Sequence, residues 1–275
     1  MENFVTAKGA RIPKLGCGTW ELRGDVCTNI VKEALQLGYR HIDTAQGYSN
    51  EAAVGEGIML SGIPRKEIFV TTKVRPQLVS DGPLQRSVQE SLERLGVGVI
   101  DLLLIHWPNP EIPLAESMRA LSSAKRLGLT RHIGVSNFTI AKLDEAVNSS
   151  PEQIAAVQFE YHPYLDQKRL LAAVRKLGLA ITAYCPIALG RTAMDQALID
   201  IGKKYGKSAV QVTLRWLIQQ DDVIAIPRSS KPERLKENLG VFDFALTDKE
   251  MAEIGNMTVA GSRLINEPQW VPHWD

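Results

Sequence analysis

Two hydrophobic periods alternate along the 275-residue chain. Short runs of aliphatic and β-branched residues are separated by longer stretches in which apolar residues return every three or four positions, the period of an amphipathic helix. After a hairpin predicted over 4–12, turning at Lys8 and Gly9, the apolar runs place strands at 15–18, 40–43, 68–73 and 100–106. Four more fall at 132–136, 156–159, 180–184 and 223–227. Helical stretches lie between them, among others at 26–37, 84–95, 114–127, 167–177 and 209–219. Gly38, Gly96, Gly128 and Gly178 stand where such helices should stop in a left-handed turn.

Eight strands in this rhythm imply parallel pairing with helical crossovers. An open doubly wound sheet and a closed barrel both satisfy that rule. The strand count, with no composition break or low-complexity linker, favours a single α/β domain over residues 1–275: a (β/α)8 barrel with a short N-terminal hairpin and an extra C-terminal helix. Gly55-Glu-Gly57 has Leu60 where a dinucleotide fingerprint needs a third glycine, and it lies within a helical period. It reads as helix packing.

Composition narrows the partners. Hydrophobic residues make up 44% and charged residues 23%, as in ordinary globular proteins. The net charge of +1 offers no global field for nucleic acid or an anionic membrane, so anion binding must come from a local cluster. Cys17, Cys27 and Cys185 show no C-x-x-C spacing, which predicts a reducing compartment without a disulfide framework or zinc site. His41, His132, His162 and His273 lack metal-ligand spacing and read as structural, so no metal is expected. The first residues show no secretory pattern, and the most apolar stretch, 97–105, is interrupted by Asp101 and too short to span a bilayer. A cytoplasmic monomer is expected.

In a closed barrel, polar residues at the C-terminal ends of strands face one rim. Asp43 ends the second predicted strand, Lys73 the third and His106 the fourth, with Tyr48 in the loop five residues after Asp43. Singly, a strand-end lysine reads as a snorkelling surface residue and a histidine after Leu-Leu-Leu-Ile as a hydrogen-bonded core residue. Together they constrain one another: a buried Lys73 needs a partner, and Asp43 is the nearest strand-end carboxylate. The ammonium is then expected to draw the phenol of Tyr48 down from its usual pKa of ~10, toward neutrality.

A second cluster follows the eighth strand, where barrels commonly bind phosphate at a helix N-terminus. Arg228, Ser229 and Arg234 lie there; Ser230 and Glu233 have capping-box spacing, and Pro232 suits a first turn. Two arginines around one helix start suit an adenosine 2′-phosphate.

Three long motifs carry a family resemblance. Gly-Tyr-Arg-His-Ile-Asp43-Thr-Ala-Gln-Gly-Tyr48-Ser-Asn-Glu, Arg131-His-Ile-Gly-Val-Ser136-Asn137-Phe and Ile226-Pro-Arg-Ser-Ser-Lys-Pro-Glu-Arg234-Leu-Lys-Glu-Asn238 resemble, in order, the signatures of the aldo-keto reductases. The resemblance runs from Ile12 to the C-terminus and is strongest to the bacterial 2,5-diketo-D-gluconate reductases. It implies NADPH-dependent reduction of aldehydes and ketones, with Asp43, Tyr48, Lys73 and His106 as the catalytic tetrad. Tyr48 would protonate the carbonyl oxygen, and a neutral His106 would orient it.

The resemblance also implies an extended NADPH across the barrel mouth, without a Rossmann domain. Ser136, Asn137 and Gln158 would hold the carboxamide and Tyr184 would stack on the nicotinamide. Thr19, Trp20, Cys185, Pro186 and Leu189 would complete the contacts, with Arg228, Ser229, Ser230 and Arg234 at the 2′-phosphate and Glu237 and Asn238 at the adenine. Many family members have Lys at Arg228 and Ser at Cys185; a thiol is the weaker donor to pyrophosphate. Trp20, Tyr48, His106, Trp107 and Trp270 would line the substrate pocket. The short segment 108–113 leaves an open mouth for small polar carbonyls such as 2,5-diketo-D-gluconate or methylglyoxal. Two other readings are a Schiff-base aldolase using Lys73 and a non-catalytic NADPH-sensing partner subunit.

Overall fold

A computed structural model describes residues 3–266 and 269–275. The chain opens with an antiparallel hairpin, β1 (Phe4–Ala7) and β2 (Ala10–Pro13). Eight further strands follow: β3 (Cys17–Gly18), β4 (His41–Asp43), β5 (Phe69–Val74), β6 (Ile100–Ile105), β7 (Thr130–Ser136), β8 (Ile154–Glu160), β9 (Ala180–Tyr184) and β10 (Val223–Ala225). They pair in parallel in chain order. Bridges from Leu15 to Ala225 and from Gly18 to Arg228 join β3 to β10 and close the sheet on itself. The architecture is therefore the (β/α)8 barrel. β10 is shorter than the apolar run predicted because Pro227 has no N–H to donate and the chain beyond it reaches β3 through a single bridge.

Ten helices are described: α1 (Gly24–Leu37), α2 (Glu51–Ser61), α3 (Pro83–Leu95), α4 (Leu114–Arg126), α5 (Ile140–Ser149), α6 (Lys168–Leu177), α7 (Gln196–Tyr205), α8 (Ala209–Gln219), α9 (Pro232–Leu239) and α10 (Asp248–Gly255). α10 is the extra C-terminal helix. Gly38, Gly96 and Gly178 cap α1, α3 and α6 as expected, whereas α4 ends on Leu127 and Gly128 takes the positive φ one residue later. Gly55 and Gly57 serve packing, as the sequence reading holds. A Cβ at Gly55 would sit 2.4 Å from the Leu95 carbonyl oxygen, and one at Gly57 2.6 Å from that of Thr28.

The main core lies between barrel and helices. A smaller apolar cluster joins Val5, Ala7, Ala10 and Ile12 of the hairpin to Ala155, Ala156 and Ala180, at the starts of β8 and β9. The hairpin thus covers the N-terminal end of the barrel and leaves the opposite rim free for chemistry. Among the described residues no helix is long and apolar enough to cross a membrane, and no group of three or more His, Cys, Asp or Glu could hold a metal ion.

Candidate active site

The four sequence-predicted residues converge at the C-terminal ends of β4, β5 and β6. Lys73 Nζ lies 2.5 Å from Asp43 Oδ1, with the two side chains 0% and 2% exposed. The same ammonium donates to the Thr44 carbonyl at 2.9 Å and to the Tyr48 hydroxyl at 3.3 Å. Tyr48 sits in a one-turn helix, Gln46–Tyr48, closed by Ser49 in the left-handed region. Arg75 holds that turn by donating to the Gln46 carbonyl and side-chain oxygens. The ring of His106 meets that of Tyr48 edge to face, with centres 5.6 Å apart.

Electrostatics here correct one expectation. The Tyr48 phenol is pushed well above its ordinary pKa, first by burial and then by the charge of Asp43. The pull of the ammonium is outweighed, because Asp43 offsets much of its charge at contact distance and the dry site penalises a phenolate. Burial likewise lowers the pKa of Lys73. His106 is held far below the usual imidazole value by burial and by Lys73 and Arg75, so its ring is neutral. A protonated phenol and a neutral imidazole therefore face each other.

A hydrogen-bonded floor adjoins this centre. Gln158 donates to Asp43 Oδ2 at 2.8 Å. Asn137, at a positive φ that asparagine tolerates, donates to the His106 carbonyl and to Ser136 Oγ, and its own side-chain oxygen accepts from Tyr184 at 2.7 Å. Thr19 is buried with its hydroxyl on the Asp43 carbonyl. Ser136, Asn137, Gln158 and Tyr184 thus form one connected surface with the four-residue centre. Next along the chain come Cys185, whose thiol is pushed up to about 12 by burial and is neutral, the buried Pro186 and the exposed Leu189.

The rim beyond β10 is built differently. Arg228 is exposed; its Nε donates to the Trp20 carbonyl at 3.1 Å, and its Nη2 lies 3.7 Å from Glu21. The Ser230–Glu233 capping box does not form. Ser229 Oγ accepts the Lys231 amide at 3.0 Å, a turn one residue earlier, and α9 starts behind Lys231 with no side-chain cap. Exposed Arg234 has no side-chain partner among the described residues. Glu237 accepts from Ser208 Oγ at 2.5 Å, and Asn238 is buried beside the Tyr39 hydroxyl.

Comparison with known proteins gives this arrangement its place. The model of the Aldo/keto reductase family matches residues 14–258. The chain belongs to that family. It is 40% identical over 267 residues to the methylglyoxal reductase DkgB of Escherichia coli O157:H7, covering 96% of this chain and 99% of that protein. A crystal structure provisionally named 2,5-diketo-D-gluconic acid reductase B superposes with a TM-score of 0.98 at 45% identity, over 100% of this chain and 98% of that one. A variant of Gox0644 in complex with NADPH gives a TM-score of 0.90 at 34% identity, over 97% of each chain. Family membership makes the chain an oxidoreductase acting on carbonyl compounds.

In this aldo/keto reductase the C-terminal tail packs beside the four-residue centre. Trp107, next to His106, is buried, and the ring set against it is that of Trp274, with centres 6.1 Å apart. Trp270, the tail residue predicted from sequence, is half-buried. Glu160, at the end of β8 and fully buried, accepts the amides of Leu264 and Ile265 at 2.8 and 2.9 Å and the ring of His162 at 2.9 Å. Sequence reasoning missed Glu160. The available signal was a lone acid two residues after Gln158, on the same face of an apolar strand.

Proposed function

We propose that this chain reduces small polar aldehydes and ketones with NADPH, with methylglyoxal and 2,5-diketo-D-gluconate as the first substrates to try. The observation that carries the reading is the Tyr48 hydroxyl, held protonated 3.3 Å from the Lys73 ammonium and facing a neutral His106. The names borne by the relatives support the two substrates, and the NADPH complex of the Gox0644 variant supports the cofactor.

The residues present suit the dinucleotide. The uncapped start of α9 and Arg234, which has no side-chain partner among the described residues, would with Arg228, Ser229 and Ser230 offer donors to a 2′-phosphate. Cys185, Pro186 and Leu189 would follow the pyrophosphate, Thr19 and Trp20 would border it, and Glu237 and Asn238 would face the adenine. Ser136, Asn137 and Gln158 would hold the carboxamide against the Tyr184 ring. When bound, the nicotinamide supplies the hydride to the carbonyl carbon.

The protein supplies the rest. His106 donates a ring N–H to the carbonyl oxygen and aims it at Tyr48. The Tyr48 hydroxyl gives that oxygen its proton, completing the alcohol. Lys73 then stabilises the phenolate left behind, and Asp43 keeps the ammonium in position. The match to the aldo/keto reductase family and to reductase relatives, together with the bond from Lys73 to Asp43, weighs against the Schiff-base reading. A carbonyl panel followed by NADPH absorbance tests the proposal. Turnover of methylglyoxal or the diketo acid is expected, and no turnover of any carbonyl would defeat it.

A further inference from the structure

Arg263 carries a guanidinium with no hydrogen-bond acceptor among the described residues, and its Nη1 is buried. Burial pulls its pKa below the ordinary arginine value, although Glu160 and Asp275 act on it through space. Neither carboxylate forms an ion pair with it. Glu160 is occupied by the amides of Leu264 and Ile265 and by His162, and Asp275 accepts the amide of Ile140 at the start of α5.

The position of this side chain is fixed from two sides. The amides gripped by Glu160 immediately follow Arg263 in the chain, and its guanidinium carbon lies 3.6 Å from the ring centre of Trp274. Trp274 in turn packs on Trp107, the neighbour of His106. A half-buried cation with one buried nitrogen that meets no acceptor costs stability in the free protein and becomes favourable when an anion arrives. A guanidinium is also the side chain best matched to a carboxylate, which it can bind through two parallel hydrogen bonds.

We infer that Arg263 binds a carboxylate on the substrate, so that the favoured substrates are carbonyl compounds bearing an acid group, such as oxo acids. This rests on the carbonyl-reductase reading above and adds a recognition residue outside the tetrad and the cofactor track. The uncharged Trp107–Trp274 surface would accept the apolar or hydroxylated part of the molecule, and Arg263 its charge.

The test compares 4-carboxybenzaldehyde with its methyl ester, which keeps the ring and the aldehyde but removes the charge. The parent should favour the acid in kcat/KM by about tenfold or more, mainly through KM. Arg263→Gln should bring that ratio close to one, and Arg263→Lys should keep most of it by retaining a cation. Methylglyoxal turnover with no preference for the acid, or a preference that survives Arg263→Gln, would overturn the assignment and leave the reductase reading intact. No turnover of any carbonyl would defeat both.

Discussion

Lys73 donates to three oxygens from a site with no solvent exposure, whereas Arg234 stands in solvent with no side-chain partner among the described residues. Both are cations proposed to act on the same bound pair of cofactor and substrate, and they lie at opposite ends of it. The buried cation is placed by folding, in contact with Asp43, before any ligand arrives. The exposed one is placed by nothing but its own helix, so a ligand must order it. The first arrangement can set the rate of a proton transfer; the second can set only affinity, and salt screens it.

The largest test of that division is at the buried end. Tyr48→Phe should lose roughly 10²–10⁴ in rate toward every carbonyl while still binding NADPH, since it removes the one proposed proton donor. Turnover within threefold of the parent would end the assignment. In the parent, the raised pKa of Tyr48 and the lowered pKa of His106 predict a rate plateau reaching above pH 10.0 and below pH 6.5, the ordinary values of the two side chains. A loss of rate on the acid side of that window would mean that His106 is more hydrated than the fold shows, and a loss on the alkaline side would implicate Lys73, whose pKa burial lowers, before Tyr48.

Lys73→Met and Asp43→Asn separate rate from stability. Lys73→Met should be nearly as inactive as Tyr48→Phe, because no cation remains to stabilise a phenolate. Asp43→Asn should be milder in rate but should destabilise the fold by about 3–5 kcal/mol, since it strands a buried ammonium and sets an amide against the Gln158 donor. Urea unfolding measures the second effect and steady-state kinetics the first. A greater rate loss for Asp43→Asn than for Lys73→Met would reverse the roles.

The buried centre was legible in the sequence for the same reason that it resists change. Asp43, Lys73 and His106 each end an apolar run, so strand period and barrel closure together decide where they meet. Tyr48 was legible as a position, but its pKa was not. The sequence shows a cation nearby without showing how far burial and the charge of Asp43 outweigh it, and burial decides the sign. The exposed rim was harder to read. Capping-box spacing at Ser230 and Glu233 is a local signal, and the turn that Ser229 makes with Lys231 displaces it by one residue. Glu21 beside Arg228 and Trp274 beside Trp107 join segments far apart in the chain, which no periodicity reports.

At the exposed end the expected effect is on affinity alone. Arg234→Ala should weaken NADPH by about 10–100-fold, the worth of one charge-assisted hydrogen bond, and leave NADH nearly unchanged. The gap between the two cofactors should narrow as salt is added. Tryptophan fluorescence quenching gives both dissociation constants. Equal loss for both cofactors would mean that Arg234 supports the fold and does not read the phosphate.

The smallest effect concerns two serines at the starts of neighbouring helices. Ser208 caps α8 with a complete box: its Oγ accepts the Gln211 amide, and Gln211 returns the bond to the Ser208 amide. Ser208→Ala should therefore cost about 0.5–2 kcal/mol of stability. Ser230 lies before α9 and caps nothing, so Ser230→Ala should stay within about 0.5 kcal/mol of the parent. The two substitutions should differ in the opposite sense toward the cofactor. Ser230 borders the proposed 2′-phosphate position, so its loss should weaken NADPH more than NADH. Ser208 reaches the ligand only through Glu237, whose carboxylate it holds at 2.5 Å, and its loss should affect both cofactors alike. Urea unfolding and cofactor titration on the two variants decide the matter. Equal stability losses would mean that α9 closes its own capping box in solution, and its N-terminus would then be less open to a phosphate than the uncapped geometry implies.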